Sequence, residues 1–231
     1  MNTESAMVVM RTIKSYVVRT GRMTAAQQQA YDSYMPLYGL SLEDGPLNPL
    51  EEFERSAPLV LEIGFGMGQS LIAMAKAHPE WDYIGVEVHP PGIGNLLRGI
   101  HEEGLHNLMV YRGDAKDVLG VCITDGMLSR VQIFFPDPWH KTRHHKRRLI
   151  QPDFIQSLLP KLAVGGIIHL ATDWEPYAQQ MMAVLSACPA LRNVCGDEQW
   201  AAEHERPPTK FERRGQKLGH GVWDLLFEKV Q

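Results

Sequence analysis

The sequence predicts an α/β fold, a doubly wound and mostly parallel sheet with helices on both faces and an antiparallel last strand. Three observations predict it. The apolar run Leu59-Val60-Leu61-Glu62-Ile63 breaks into glycines at alternate positions, Gly64, Gly66 and Gly68, and then into a helical pattern. Further short apolar runs alternate with helical stretches, the order that builds parallel βαβ units. Acidic residues recur where those runs end, and in open α/β sheets the carboxyl ends of strands are where ligands bind.

Composition supports one sizeable domain: 231 residues, 44% hydrophobic and 22% charged, enough to bury a full core. The expected division is a basic, flexible N-terminal arm over residues 1–35 and a single domain over 36–231. Cys122, Cys188 and Cys195 have neither metal-type spacing nor an even count, which fits a reducing cytoplasm. The N-terminus lacks the apolar core of a signal peptide, because Glu4 and Arg11 bracket a short apolar patch. No apolar run approaches membrane-spanning length. The formal net charge of −4 means that any nucleic-acid contact must come from local basic patches. A monomer is expected.

Residues 1–23 set Arg11, Lys14, Arg19 and Arg22 against the single acid Glu4, which reads as the basic arm. A short helix over 24–35 is capped by Thr24 and ended by Pro36 and Gly39. Pro46, Pro49 and Pro58 then mark a connection into the first core strand. After the glycine turn, Ser70 is placed to cap a helix that buries Leu71, Met74 and Ala75. Strand, glycine turn and helix start form a ligand cradle with exposed backbone N–H groups. A dinucleotide motif would need glycine at position 69, which is Gln69. Glu62, two residues before the first glycine, would repel a pyrophosphate but attract an ammonium or a sulfonium. The cradle therefore points to S-adenosylmethionine.

Tyr83 to Val88 reads as the second parallel strand. Glu87 lies near its end, 19 residues after Gly68, where an acid can accept from ribose hydroxyls. A helix through Leu96, Leu97 and Ile100 follows, ending near Gly104. The third strand, Leu108 to Tyr111, leads to Asp114, which can cap a helix and accept from an adenine amino group. The fourth strand, Val131 to Phe135, runs into Pro136-Asp137-Pro138-Trp139, where two prolines restrict a carboxylate beside an aromatic stacking surface. His140 to Arg148 holds five Lys or Arg, three His and no acid, the composition of a phosphate-binding rim. Adjacent cations oppose metal binding by those histidines, so no metal is expected.

A helix over Gln151 to Leu162, terminated by Gly165-Gly166, precedes the fifth strand, Ile167 to Ala171, whose mouth carries Asp173. A helix from Pro176 carries Tyr177, Met181 and Leu185. Leu191 to Cys195 is a candidate sixth strand, and Trp223 to Val230 a last, antiparallel one. Between them, Arg206 to Lys217 holds five basic residues against one acid, too polar for core and suited to gripping substrate.

With these motifs in hand, the chain resembles the bacterial tRNA (guanine-N7)-methyltransferase family from about Arg11 to Val230. The matching stretches are Glu62 to Gly68, Val86 to His89, Phe135 to Lys141, His144 to Arg148, Ala171 to Asp173 and Thr209 to Glu212, together with Ser15 to Thr24. It departs at Pro90 and Thr142, where basic residues are common. The resemblance implies a Rossmann-like class I methyltransferase sheet and methylation of a guanine in the tRNA variable loop. It implies Glu62, Glu87, Asp114 and Asp137 as ligands of S-adenosylmethionine, held on the Gly64, Gly66 and Gly68 turn. Asp137 is implied as catalytic. Lys141, Asp173, Thr209, Lys210, Phe211 and Glu212 are implied to contact substrate, and Arg143, His144, His145, Lys146, Arg147 and Arg148 to contact RNA. Two alternatives stand beside this reading: methylation of another nitrogen acceptor, and an inactive RNA-binding module. The basic stretches argue against a small acceptor, and the intact acidic edge argues against an inactive module.

Overall fold

The structure, a computed structural model, describes residues 14–17, 21–202, 206–207, 212 and 221–231. Its helices are α1 (Ala25–Tyr38), α2 (Pro49–Phe53), α3 (Gln69–Ala77), α4 (Pro90–Glu103), α5 (Ala115–Val121), α6 (Pro152–Leu158) and α7 (Glu175–Ser186). Its strands are β1 (Gly39–Leu40), β2 (Leu59–Ile63), β3 (Asp82–Glu87), β4 (Leu108–Arg112), β5 (Leu128–Phe134), β6 (Leu162–Thr172), β7 (Leu191–Asn193) and β8 (Trp223–Lys229). They form one sheet in the order β1-β4-β3-β2-β5-β6-β8-β7. The pairs from β1 to β6 are parallel, and β8 runs antiparallel to both β6 and β7.

Alternation along the strands divides the core into two layers. Leu59, Leu61 and Ile63 pack with α5, α6 and α7, through Val118, Phe154, Leu158, Met181 and Leu185. Val60, Tyr83 and Phe134 pack with α3 and α4, through Leu71, Met74, Ile93, Leu97 and Ile100. The chain winds in one direction from β2 through β3 to β4, and in the other through β5 and β6. That reversal makes β2 and β5 the switch point, where such folds open a cleft.

Four local expectations are corrected. Pro36 lies inside α1, which continues to Tyr38, and Thr24 closes a reciprocal capping box with Gln27. The helix crosses residue 35 and packs its Tyr31, Tyr34 and Met35 against the α3–α4 layer. Ser70 does not cap α3; the N-cap is Gly68, in the left-handed region, and Ser70 Oγ is buried with no partner among the described residues. Gly165-Gly166 do not end α6. The helix stops at Leu158, Pro160 follows in a 3-10 turn, and the two glycines lie inside β6 where its register against β5 shifts.

The fourth correction is an edge strand that has no sequence signal. Gly39-Leu40 pairs with Val110-Tyr111 of β4, and two residues are too few to show alternation.

Candidate functional site

The cleft of about 420 Å³ opens where the switch point predicts it. Its lining comes from successive strand ends: Ile63-Gly64 after β2, Val86 to His89 after β3, Gly113 to Ala115 after β4 and Ile133 to Asp137 after β5. The glycine turn has φ +77, +60 and +76 at Gly64, Gly66 and Gly68, a conformation that an L side chain resists. The open side matters as much. A Cβ built on Gly64 or Gly66 meets nothing within 4 Å, so the bare backbone faces space that a ligand can occupy. On the other side, Gly92 of α4 lies so close that its Cβ would come within 2.0 Å of the Gly66 carbonyl oxygen.

Glu87 ties the cradle together. Its carboxylate accepts from the N–H groups of Gly66 at 2.9 Å, Val88 at 2.7 Å and His89 at 3.1 Å. Two carboxylate oxygens offer about four lone-pair sites, so roughly one remains for a ligand hydroxyl. Asp114 is the N-cap of α5, accepting from Lys116 N–H at 3.1 Å, and it also receives Lys14 Nζ at 2.7 Å. That ion pair raises the Lys14 pKa.

Glu62 is placed differently from Glu87. It projects with Val60 into the α3–α4 layer, 3% exposed, and Oε2 has no hydrogen-bond partner among the described residues. Burial, and secondarily the nearby Glu87 charge, raise its pKa from 4.5 to about 8. At neutral pH without a cation beside it, Glu62 is a neutral acid. An orphaned acid beneath an open glycine cradle, with two further acids at adjacent strand ends, fits the adenosyl sulfonium donor that the sequence reading expects.

The turn after β5 is held on both sides. Phe135 and Trp139 have φ of +52 and +47, unusual for bulky residues. Phe135 N–H donates to Ala171 O at 2.8 Å, and Trp139 N–H donates to Asp137 Oδ1 at 2.9 Å. Asp137 is exposed at the lip of the cleft. His140 meets the ring of Trp174 edge-on at 4.3 Å, which brings this turn against the mouth of β6 where Asp173 sits.

The basic run divides. Residues Thr142–Arg147 form a 3-10 turn; Lys141, which precedes it, and Arg143 and Lys146 on it are exposed. Partial burial, and then the cations Arg143, Arg147, Lys141 and Lys146, hold the His144 pKa below its ordinary value. Arg147 grips the chain itself, donating to Lys14 O at 3.2 Å and Tyr16 O at 3.3 Å over the face of Trp139. Trp139 Nε1 donates to Ser15 O at 3.1 Å, and Ser15, Tyr16 and Val17 form one wall of the cleft, which charge alone did not reveal. Arg148 is 3% exposed, donates to Pro138 O and Gln180 Oε1, and stacks on Tyr177. It braces the turn from below instead of facing solvent.

Glu212 is also buried, ion-paired to Arg206 at 2.6 Å. Thr209, Lys210 and Phe211 lie outside the described residues, as do Arg11 and Arg19 of the basic arm. Among the described residues there is no group of three or more His, Cys, Asp or Glu able to hold a metal ion, and no helix long and apolar enough to cross a membrane.

Comparisons with known proteins agree with this geometry. Residues 56–225 match the family model described as "Putative methyltransferase". A tRNA (guanine-N(7)-)-methyltransferase of Saccharophagus degradans is 56% identical over 220 residues, covering 95% of this chain and 96% of that one. One from Pseudomonas syringae pv. syringae is 58% identical over 221 residues, covering 95% and 91%. Among solved structures, a 16S rRNA methyltransferase aligns with a TM-score of 0.57 at 12% identity, over 78% of this chain and 92% of that one. A SAM-dependent methyltransferase from Aquifex aeolicus aligns at 0.52 and 13%, over 88% and 98%. At such identities these two speak for the fold alone. With 95% of its length matched at 56% and 58% identity, the chain belongs to the bacterial tRNA (guanine-N7)-methyltransferase family.

Proposed function

We propose that this cytoplasmic protein transfers a methyl group from S-adenosylmethionine to N7 of a guanine in the variable loop of tRNA. The observation that carries the reading is Asp137: an exposed carboxylate at the lip of the cleft, flanked by two prolines and held by Trp139 N–H at 2.9 Å. S-adenosylmethionine supplies an electrophilic methyl on a sulfonium. Guanine N7 presents an in-plane lone pair and carries no proton at neutral pH, so its attack needs no general base. What the chain must supply is orientation and charge. Asp137 accepts from guanine N–H groups and fixes the base, and its charge offsets the positive charge arriving on the purine ring. Glu87 and Asp114 hold the nucleoside half of the donor from adjacent strand ends. The exposed Lys141, Arg143 and Lys146 bind tRNA phosphates without reading sequence.

The test is mass spectrometry of nucleosides from tRNA incubated with isotopically labelled donor. The reading predicts label in 7-methylguanosine, located in variable-loop fragments. Label in a ring-N1 or exocyclic methylguanosine, or none, contradicts it.

A further inference from the structure

We propose that Arg206 is a positioning residue for methyl transfer, locking the Asp137-bearing turn in register with β8. The inference rests on the function proposed above. Arg206 has a fully buried side chain that forks onto Asp224 of β8, Nε to Oδ1 at 2.7 Å and one terminal nitrogen to Oδ2 at 2.7 Å. Its other terminal nitrogen donates to Glu212 Oε2 at 2.6 Å. The guanidinium carbon lies 5.6 Å from the ring centre of Phe134 and 5.3 Å from that of Phe135.

The network continues under the sheet face. Asp224 Oδ1 also lies 2.8 Å from His169 Nε2, and His169 Nδ1 lies 2.9 Å from an Arg130 nitrogen. Arginine only donates, so Nδ1 accepts and Nε2–H donates to Asp224. His169 is therefore neutral, in agreement with a pKa that burial lowers. Arg130 and Arg206 then balance Asp224 and Glu212. Burial alone would raise the Asp224 pKa, but the bonds from Arg206 and His169 overcome it and lower it.

A buried ionic network is a poor way to gain stability, because apolar side chains of similar volume often do as well. Its better-attested use is to fix register. Here it joins β5, β6 and β8 to Arg206 and Glu212. Phe134-Phe135 is where β5 becomes the catalytic turn, and Phe135 sits in a left-handed conformation that its surroundings must enforce. The Arg206 guanidinium over its ring is one such restraint, two residues before Asp137.

Arg206→Lys keeps the charge but cannot fork onto Asp224 while bonding Glu212. The single-turnover rate with tRNA and S-adenosylmethionine saturating should fall about 30-fold or more, as misplaced reacting groups do. Donor affinity by calorimetry should stay within about twofold, since Glu87 and Asp114, which hold the nucleoside half of the donor, lie on other strand ends. The deciding readout is a double-mutant cycle with Asp137→Asn. If Arg206 acts through Asp137, Arg206→Lys should cost under about threefold in the Asp137→Asn background. Equal losses in both backgrounds overturn the inference, as does donor affinity that falls in step with the rate. Should Arg206→Lys fail to fold, Glu212→Gln removes the charge that Arg206 faces and Phe135→Leu removes the ring beneath its guanidinium, and each enters the same cycle with the same expectations. A parent enzyme that makes no 7-methylguanosine refutes the function itself and this inference with it. A working parent with an additive cycle refutes the inference alone.

Discussion

Replacing Glu62 by Gln should stabilise the protein while weakening its hold on the methyl donor. Glu62 is buried with a partnerless oxygen, and its pKa is raised from 4.5 to about 8. The folded state therefore keeps a proton that the unfolded state releases between those values. Stability contributed by this group is full below about pH 4.5, falls as pH rises through the window, and is lost above about pH 8. At pH 7 the difference amounts to about 3 kcal/mol, from roughly 2.5 pH units at about 1.4 kcal/mol each. Glu62→Gln removes that penalty, and for a chain of this size about 3 kcal/mol corresponds to roughly 6–12 °C in Tm. The assay is thermal unfolding of parent and variant across pH 5 to 8 without donor. The two should nearly coincide at about pH 5 and separate steadily toward pH 8, with the variant higher. Calorimetry should show the variant binding S-adenosylmethionine about tenfold or more weakly, as loss of a charged hydrogen-bond partner requires. Parallel Tm profiles would refute the reasoning, because they would mean that Glu62 is ionised in the folded protein throughout.

Glu87→Ala should cost about 1.5–3 kcal/mol in donor binding, or about 10- to 100-fold in Kd, and an unchanged Kd by calorimetry would remove Glu87 from the donor site. Neutralising the exposed Lys141, Arg143 and Lys146 together should flatten the salt dependence of tRNA binding by about 2–3 units of slope without touching donor affinity. A slope equal to the parent's in filter binding would return the rim to an ordinary solvated face. Asp137→Asn should lower kcat strongly at every pH, and with donor saturating the parent's single-turnover rate should stay nearly flat from about pH 6 to 9. A rate that climbed tenfold per pH unit, and lost the climb in the variant, would make Asp137 a general base.

Much of the architecture was legible because its signals are local. Three glycines spaced by two announce a turn that needs positive φ, and all three adopt it. Acids that follow apolar runs mark strand ends, and Glu87, Asp114 and Asp137 do line one cleft. What was not legible depends on contacts between distant segments. A basic run gives no sign that Arg148 turns inward onto Tyr177 while Lys146 stays in solvent. Nor does a polar insertion reveal that Arg206 and Glu212 are buried, since Arg206 is held by Asp224 of β8 and the network runs on from there through His169 of β6 to Arg130 of β5. Residues 15–17 read as part of a basic arm, yet they wall the cleft, because the bonds from Trp139 and Arg147 that place this stretch go to the backbone carbonyls of Lys14, Ser15 and Tyr16. The motif alone reads Glu62 as an ionised attractor. Its depth in the sheet makes it a neutral acid until a cation arrives, and burial is not written in the motif.

The most direct measurement of the central claim is methyl transfer to tRNA whose guanines are replaced by 7-deazaguanine. That base keeps every Watson–Crick group and its ring shape but has a C–H where N7 carries its lone pair. The substituted tRNA should bind within about twofold of the parent, since phosphate contacts dominate affinity, and should accept no methyl group in single-turnover assays. Labelled methyl appearing in the substituted tRNA at the parent rate would place the acceptor elsewhere and contradict the account.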